Sequence, residues 1–530
     1  MYIQVGSRGK GRRAVGPPPP CPSPAGGRGD DGRAACRPIS IAPNRNARGG
    51  GTPSSCVPSP AKRGRDREGG RRPTKAGDPP VTVLAFDQLL TAAGWQADVA
   101  VTVADGRIAA IGPAAGRAVA ARHAIGVPGI ASLHSHAFQR GMAGLAEVRG
   151  PGADSFWSWR ETMYRFALTM TPDDVEAVAA QLYAEMLEAG FTRVGEFHYL
   201  HHDHDGRPYA DPAEMAVRIA AAAETSGIGL TLLPVFYAHA GFGGTPPGDG
   251  QRRFVSSLDL YDKLLGGARR AVAALPGAVV GVAPHSLRAV TPEELGRVVD
   301  LAGTGPVHIH VAEQVREVED CLAWSGRRPV ALLLDHAAVD ARWCLIHATH
   351  MDADEVRRLA ASGAVAGLCP ITEANLGDGI FPGAAFLEAG GRYGVGSDSN
   401  VEIGVAAELR QLEYAQRLAT RSRNVMTRPG RSTGRSLFDA ALAGGGQALG
   451  VATTGLAVGA PADIVTLGAD HPALAGRSGD AWLDGWIFST GNAAVDCVYV
   501  GGKPRVSGGR HAAREKIAAR FAAVMRRLAG

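Results

Sequence analysis

Long apolar runs, paired cysteine motifs and a secretory signal are all missing from this sequence of 530 residues. No stretch of about 18 consecutive apolar residues occurs, which argues against a membrane-spanning helix. The basic N-terminus has no apolar core segment, so it does not match a secretory signal peptide. The seven cysteines include no CxxC spacing, and such a sparse, odd set fits reduced thiols better than a disulfide framework. These absences predict a cytoplasmic protein without a membrane partner.

Basic charge is also missing from the main body of the chain, although the net charge is +5. Residues 1–79 hold 16 Lys and Arg against 5 Asp and Glu, whereas the remainder holds 40 against 46. A mildly acidic body does not predict a nucleic-acid partner. Residues 1–79 are rich in Gly, Pro, Arg and Ser without any period, which predicts a disordered tail. We interpret the tail as an extension without function, a nucleic-acid-binding arm being the alternative.

The centre of the chain alternates apolar, strand-like runs with helical patterns. Apolar residues on both faces of a run are typical of parallel strands covered by helices. Helix starts are marked clearly, as by the capping box with proline at the first helical position in 291–294. We predict an α/β fold with a (β/α)8 TIM-type barrel over 128–450. A doubly wound sheet is the alternative, but its glycine fingerprint is missing. The eight runs are 129–136, 191–198, 228–237, 279–286, 306–313, 343–350, 364–373 and 392–399.

The flanking segments of the barrel have strand patterns without helices. Residues 80–127 contain short alternating runs joined by an Asp-Gly turn, and residues 451–512 contain a matching set. We predict that the two segments pair into one small β-sandwich domain, and that residues 513–530 form a C-terminal helix.

Polar residues appear where the strand-like runs end. The C-terminal ends of barrel strands converge on one rim, where active sites of this fold lie. His134 and His136 are two positions apart and therefore face the same side of a strand. An isolated pair of this kind more often packs or faces solvent, but His310 and Asp398 end later runs. Three imidazoles and one carboxylate suit Zn²⁺ or Fe²⁺ better than Mg²⁺ or Ca²⁺. We therefore predict one divalent metal per chain, zinc in the first place.

The order of these motifs resembles the amidohydrolase superfamily in its mononuclear deaminase branch. Longer stretches, spread over roughly 81–511, resemble the formimidoylglutamate deiminases of histidine degradation. No lysine ends a central run, so the carboxylated lysine of dinuclear relatives is not expected. The HxH and SD motifs are shared by many amidohydrolases, whereas the longer stretches are shared by far fewer of them. The matching stretches are HSHAFQRGMAGLAE, DSFWSWRETMYR, GEFHYLHHDHDGRPYADPAE, LLPVFYAHAGFGG, PHSLRAVTP, PVHIHVAEQ, WSGRRP, RWCLIHATH, TEANLGDGIFP and GVGSDS.

The resemblance implies roles for the polar residues at the strand ends. A metal of this class activates water for attack at neutral pH. Glu313 would protonate the imino nitrogen and pass a proton to departing ammonia, and His347 would orient the water. Asp398 would accept a proton from that water. The implied metal ligands are His134, His136, His310 and Asp398.

The implied reaction is hydrolysis of N-formimino-L-glutamate to N-formyl-L-glutamate and ammonia. This dicarboxylate needs cationic or hydrogen-bonding partners, and a guanidinium offers a bidentate fork. We interpret the aromatic-rich loop around Arg160 as a lid, although a surface ion pair is the alternative for either arginine. The resemblance also implies a homodimer. The implied substrate-binding residues are Gln139, Arg160, Tyr199, His285 and Arg288.

Some positions depart from the family pattern or need another interpretation. Asn400 stands where family members often have His, and Pro370-Ile371 precedes the TEAN segment without the expected polarity. We expect His350 to lie outside the metal's ligand set. We interpret the polar cluster 201–204 as a loop with scattered histidines rather than a second metal site.

Two other functions remain as alternatives. One is a deaminase of a cyclic amidine of the guanine, cytosine or adenosine type, against which the two arginines argue. The other is a metal-binding or regulatory protein without catalysis, against which the retained Glu313, His347 and Asp398 argue.

Overall fold

A computed structural model describes residues 81–150, 155–451 and 455–529. The disorder predicted for 1–79 lies outside the described residues. The strands are β1 Thr82–Thr91, β2 Gly94–Ala104, β3 Arg107–Pro113, β4 Ala121–Pro128, β5 Ile130–Ser135, β6 Phe191–His198, β7 Gly229–Phe236, β8 Val279–Val280, β9 Ala283–Pro284, β10 Val307–Val311, β11 Trp343–His347, β12 Val365–Leu368, β13 Arg392–Val395, β14 Ile464–Leu467, β15 Val495–Val500, β16 Lys503–Ser507 and β17 Arg510–His511.

Helices cover the strands and follow them along the chain. Short 3₁₀ turns occur at Ala137–Met142, Asp249–Gln251 and Gly491–Ala494, and a π turn at Trp486–Thr490. The α-helices are α1 Phe156–Ala167, α2 Pro172–Glu188, α3 Glu214–Ser226, α4 Leu258–Val272, α5 Pro292–Ala302, α6 Val315–Ser325, α7 Pro329–His336, α8 Ala353–Ser362, α9 Pro370–Leu376, α10 Gly383–Glu388, α11 Val405–Thr420, α12 Thr433–Ala448, α13 Asp480–Gly485 and α14 Arg514–Ala529.

Two parallel sheets close into a barrel. One sheet runs β5-β6-β7-β8, with β9 also paired to β7, and the other runs β10-β11-β12-β13. Parallel bridges join them at both seams, Ser135 to Asp398 on one side and Val282 to Val307 on the other. With β8 and β9 counted as one interrupted strand, these described strands form the predicted (β/α)8 barrel, which is confirmed. The closure rules out the doubly wound alternative.

Local sequence signals explain why the barrel helices begin where they do. Thr291 precedes α5, and its side chain accepts a hydrogen bond from the backbone of Glu294, with proline at the first helical position. Asp352 precedes α8 and accepts from the backbone of Glu355 in the same way. These caps satisfy backbone N–H groups that a helix leaves unpaired at its N-terminus.

The two flanking segments join in one sheet, in the order β17-β16-β15-β14-β4-β1-β2-β3. Strands β4 and β14 pair antiparallel, from Ile464 beside Pro128 to Leu467 beside Ile125. The predicted union of the two segments is thus confirmed, with their strands hydrogen-bonded as a continuous sheet. No helix in the described ranges is both long enough and apolar enough to cross a membrane. Side chains from both segments share a small apolar core that includes Leu84, Phe86, Val101, Ile464 and Tyr499.

A glycine lets the last barrel strand approach the first. A Cβ atom at Gly396, directly after β13, would lie 2.7 Å from the backbone nitrogen of His134 and 2.8 Å from its oxygen. Backbone atoms leave little room to yield, so a side chain here forces the strands apart. The seam that brings Asp398 beside His134 therefore requires a glycine, without a side chain, at position 396.

We predict opposite stability effects for two Gly→Ala substitutions. Gly396→Ala should lower the free energy of unfolding by about 1–3 kcal/mol, because overpacking displaces the backbone of β5. Gly296→Ala is the matched control, since a Cβ there meets nothing within 4 Å. It should raise stability by about 0.5–1 kcal/mol, the usual gain for alanine over glycine within a helix. Denaturant unfolding of both metal-loaded variants checks this, and an unchanged midpoint for Gly396→Ala would contradict it.

Candidate active site

Four buried side chains converge where β5, β10 and β13 end. The Oδ1 atom of Asp398 lies 3.3 Å from Nε2 of His134 and 3.2 Å from Nε2 of His136. Nε2 of His310 lies 3.1 Å from Nε2 of His134. The potential ligand atoms of all four residues lie within 4.8 Å of one another. The structure therefore brings together the whole ligand set expected from the sequence.

Backbone hydrogen bonds hold these residues in register. The backbone nitrogen of His136 donates to the Asp398 oxygen, and that of Asp398 donates to the His134 oxygen, both at 3.0 Å. The imidazole Nδ1 of His136 donates to the Phe197 carbonyl at 2.9 Å, and Nδ1 of His310 donates to the His285 carbonyl at 3.0 Å. These bonds orient each ring so that Nε2 is the atom available to a metal.

The electrostatics of the four residues fit a divalent cation. Burial lowers the pKa of His134 to about 3 and holds the pKa of His310 well below its usual value, so both rings stay neutral. Burial raises the pKa of Asp398, but the adjacent rings of His134 and His136 outweigh it and hold that pKa well below its usual range. Neutral imidazoles and an ionised carboxylate are the forms that bind a metal.

Asn400 supports the ligand set from behind. Its side-chain nitrogen donates to the backbone oxygens of His136 at 3.0 Å and Asp398 at 2.9 Å, and its Oδ1 accepts from the Ser397 hydroxyl at 2.7 Å. Asp398 and Asn400 both have left-handed backbone angles, with φ of 43° and 59°. Asparagine tolerates this region better than most residues. The sequence marked Asn400 only as a departure from the family pattern, and its bonding role was missed.

Glu313 follows β10 by two residues and His347 is the last residue of β11, and both face the four-residue cluster. Nε2 of His347 lies 3.7 Å from Oε1 of Glu313 and 3.9 Å from Oδ2 of Asp398. Burial raises the pKa of Glu313 to about 6, which suits a group that exchanges a proton near neutral pH. Burial lowers the pKa of His347, but the charge of Glu313 and the hydrogen bond to Glu373 outweigh it and raise that pKa to about 10.

Sequence reasoning missed the role of Glu373. Its Oε1 accepts from Nδ1 of His347 at 3.3 Å and from the backbone nitrogen of Cys369 at 2.9 Å. It therefore fixes the orientation of the His347 ring, with Nε2 toward Glu313 and Asp398. The TEAN segment was quoted only as a family resemblance, and nothing in its local pattern indicated this long-range contact.

A pocket of about 610 Å³, its open mouth included, lies above the four-residue cluster. All five residues expected to bind substrate line it, beside Glu313, His347 and Asp398. Aromatic side chains supply much of the remaining wall. The expected substrate residues in the wall are Gln139, Arg160, Tyr199, His285 and Arg288, and the aromatic residues are Phe156, Trp159, Tyr164, Tyr237 and Phe254.

A family comparison matches residues 125–505 to a group described as the amidohydrolase family. The chain belongs to the amidohydrolase family. It is 53% identical to the formimidoylglutamate deiminase of Pseudomonas aeruginosa over 443 residues, which cover 83% of this chain and 98% of that enzyme.

Solved structures agree with this assignment. A crystal structure of an amidohydrolase from Brucella melitensis is 57% identical, with a TM-score of 0.82, and covers 85% of this chain and 100% of that one. An adenosine deaminase from Xanthomonas campestris with bound zinc has a TM-score of 0.70, covering 85% of this chain and 99% of that one. Its identity of 22% supports the fold alone.

The two arginines of this amidohydrolase pocket are held in different ways. Arg288 is largely buried, with Nε 3.8 Å from Oε2 of Glu317, and this Nε has no hydrogen-bond partner among the described residues. Arg160 lies in α1, with its guanidinium carbon 4.3 Å from the centre of the Trp157 ring. A cation over an aromatic face is stabilised without losing its outward N–H groups. Both guanidiniums can therefore turn donors toward an anionic ligand in the pocket.

The other histidines considered from the sequence lie away from the metal cluster. Nε2 of His350 donates to the Asp378 carbonyl at 2.8 Å. His201 and His202 each use Nε2 on a backbone carbonyl, those of Val235 and Val255. Within the described ranges they join no group of potential metal ligands. Their geometry matches hydrogen-bonding roles in loops around the amidohydrolase site.

We predict that Asn400→Ala weakens metal binding by about 10–100-fold, the usual effect of losing a residue that supports the ligands. The free backbone near Asp398 would then leave its left-handed angle more easily. Asn424→Ala is the matched control, because Asn424 also has a left-handed φ, of 55°, and its side chain bonds only the exposed end of Arg417. Competition with a chelator measures the zinc affinity of both variants. Equal affinities in the two would contradict the supporting role.

Proposed function

We propose that this amidohydrolase hydrolyses N-formimino-L-glutamate to N-formyl-L-glutamate and ammonia, as a cytoplasmic step of histidine degradation. The observation that carries the proposal is the 53% identity to the Pseudomonas deiminase over nearly all of that enzyme. The metal proposed for the four-residue cluster is zinc, with Fe²⁺ as the alternative. The donor set of three imidazoles and a carboxylate supports this choice.

The charge of the pocket supports a dicarboxylate substrate. Arg160 and Arg288 both line it, while Gln139 and Tyr199 add hydrogen-bonding groups. The amide nitrogen of Gln139 donates to the Tyr199 hydroxyl at 2.7 Å, and Oε1 of Gln139 has no partner in the described ranges. Two guanidiniums match two carboxylates, and the free amide oxygen can accept an N–H of the formimino group. A neutral purine or pyrimidine would offer neither guanidinium an anionic group to bind.

The residues at the rim supply the proton transfers. When bound, the metal supplies Lewis-acid activation of water. Asp398 accepts a proton from the attacking water, and His347 orients that water with its Nε2–H group. Glu313 donates a proton to the imino nitrogen as the carbon–oxygen bond forms. The carbon–nitrogen bond then breaks while a carbonyl forms. Ammonia leaves with the proton of Glu313 and one proton of the water, and the other proton of the water returns to Glu313.

Ammonia release from a panel of amidines tests the proposal. The metal-loaded protein is expected to release ammonia from N-formimino-L-glutamate and not from guanine, cytosine or adenosine. Asp398→Asn should abolish release, because the amide cannot take the proton of water, and should also weaken metal binding. Activity confined to one of the bases would replace the proposal with the cyclic-amidine alternative. Activity on none of the compounds would favour a protein without catalysis.

We predict that Arg288→Lys raises KM for N-formimino-L-glutamate by about 10–100-fold with little change in kcat. Lysine keeps the charge opposite Glu317 but loses the bidentate fork, and a charge-assisted hydrogen bond contributes about 1.5–3 kcal/mol. Arg297→Lys is the matched control, because Arg297 is exposed on α5. Steady-state kinetics on both variants give the comparison. An unchanged KM in Arg288→Lys would remove this residue from the carboxylate site.

A further inference from the structure

A second buried carboxyl group, Asp378, lies just after α9 and beside the acid of the active site. Its side chain is almost fully buried. Its Oδ1 accepts a hydrogen bond from Nε2 of Gln314, while its Oδ2 has no hydrogen-bond partner among the described residues. Burying a carboxyl oxygen without a partner is unfavourable. The buried position of Asp378 therefore calls for a functional explanation.

Asp378 faces the two groups that handle protons in the proposed reaction. A carboxylate oxygen of Asp378, a carboxylate oxygen of Glu313 and a ring nitrogen of His347 all lie within 4.8 Å of one another. Glu313 and His347 line the substrate pocket, but Asp378 does not. Asp378 therefore lies behind Glu313 as seen from the substrate, and any effect on the reaction passes through Glu313.

Two neighbouring carboxyl groups in a dry site do not both ionise readily. The second charge is repelled by the first, so the pair keeps one proton over a wide pH range. Burial, followed by the charge of Glu313, raises the pKa of Asp378 to about 9, whereas that of Glu313 is raised to about 6. Between these values the pair holds one proton. The other titratable groups around Asp378 are His347, His350 and Glu373, and those around Glu313 are His347, Arg288, Asp398 and Glu317.

We propose that Asp378 is a positioning residue for Glu313, and that the two carboxyl groups hold one proton between them which Glu313 delivers to the departing nitrogen. The inference rests on the proposed deiminase function for the identity of that nitrogen. In the reaction Glu313 gives its proton to the imino nitrogen and regains one from the water that attacks. Asp378 keeps the proton within reach of Glu313 while substrate binds, so that Glu313 is available as an acid above the pH where an isolated carboxyl ionises.

The pH dependence of kcat in Asp378→Asn tests this role. The amide retains an oxygen that accepts from Gln314, so the packing is preserved while the proton and the charge are lost. Without Asp378 the pair loses the site that holds its proton, so Glu313 alone sets the alkaline limb, and that limb should move from near pH 9 to lower pH. At pH 8 kcat should fall by about 10–100-fold, since each unit of pKa changes the protonated fraction up to tenfold. KM should stay within about twofold of the parent.

A matched control and a second measurement complete the design. Asp354→Asn changes an exposed carboxyl on α8 and should leave the profile as in the parent. An unmoved alkaline limb in Asp378→Asn would overturn the proposal and leave Asp378 a packing residue. If that variant does not fold, infrared spectra of the metal-loaded parent and of Glu313→Gln decide. The proposal is supported if the infrared band of a buried carboxylic acid persists to near pH 9 in the parent but disappears at lower pH in Glu313→Gln. Identical titrations of that band in the two proteins overturn the proposal.

The two proposals fail in different ways. The kinetic profiles are recorded on whichever amidine the parent deaminates, and the infrared titration needs no substrate. Loss of activity on N-formimino-L-glutamate in the parent would therefore count against the proposed function alone. A parent active on that compound, with an unmoved profile in Asp378→Asn, would count against the shared proton alone.

Discussion

Three imidazoles and one carboxylate, buried with their potential ligand atoms within 4.8 Å of one another, form the constraint on which the rest of this structure depends. The Nε2 atoms of His134 and His310 approach to 3.1 Å, and a single oxygen of Asp398 lies near both His134 and His136. Metal-binding side chains packed this closely in a dry interior suit a cation among them. The barrel holds the group together because its strands end at one rim and its seam bonds Asp398 directly to β5.

Backbone strain accompanies this arrangement. Ala312, His347, Asp398 and Asn400 all have left-handed backbone angles although none is glycine, and all lie where barrel strands end. Each such residue costs on the order of 1–3 kcal/mol and persists only where its surroundings hold it. The bonds of Asn400 to neighbouring carbonyls and of Glu373 to His347 supply that hold. The free energy of folding is thus less favourable at the rim, and in return these side chains take orientations that an unstrained strand would not give them.

One buried glutamate links two charged residues of the pocket. Arg288 and Glu313 both line the pocket, and Glu313 is grouped with His347 and Asp378. Glu317 contacts both residues, because its carboxylate lies 3.8 Å from Arg288 and accepts from the backbone nitrogen of Glu313 at 3.2 Å. A substrate carboxylate on Arg288 would therefore be held at a set distance from the acid.

The sequence alone determined the barrel, the union of the flanking strands and the positions of the polar residues at the rim. These features follow from periods of two residues in strands, from helix caps and from strand ends, all of which are local and survive in a linear pattern. Only the tertiary structure decided that Glu373 orients His347, that Asn400 ties the backbone around Asp398, and that Asp378 lies beside Glu313. Those contacts join residues from different strand–helix units. Their partners are chosen by the closure of the barrel, which no local spacing encodes.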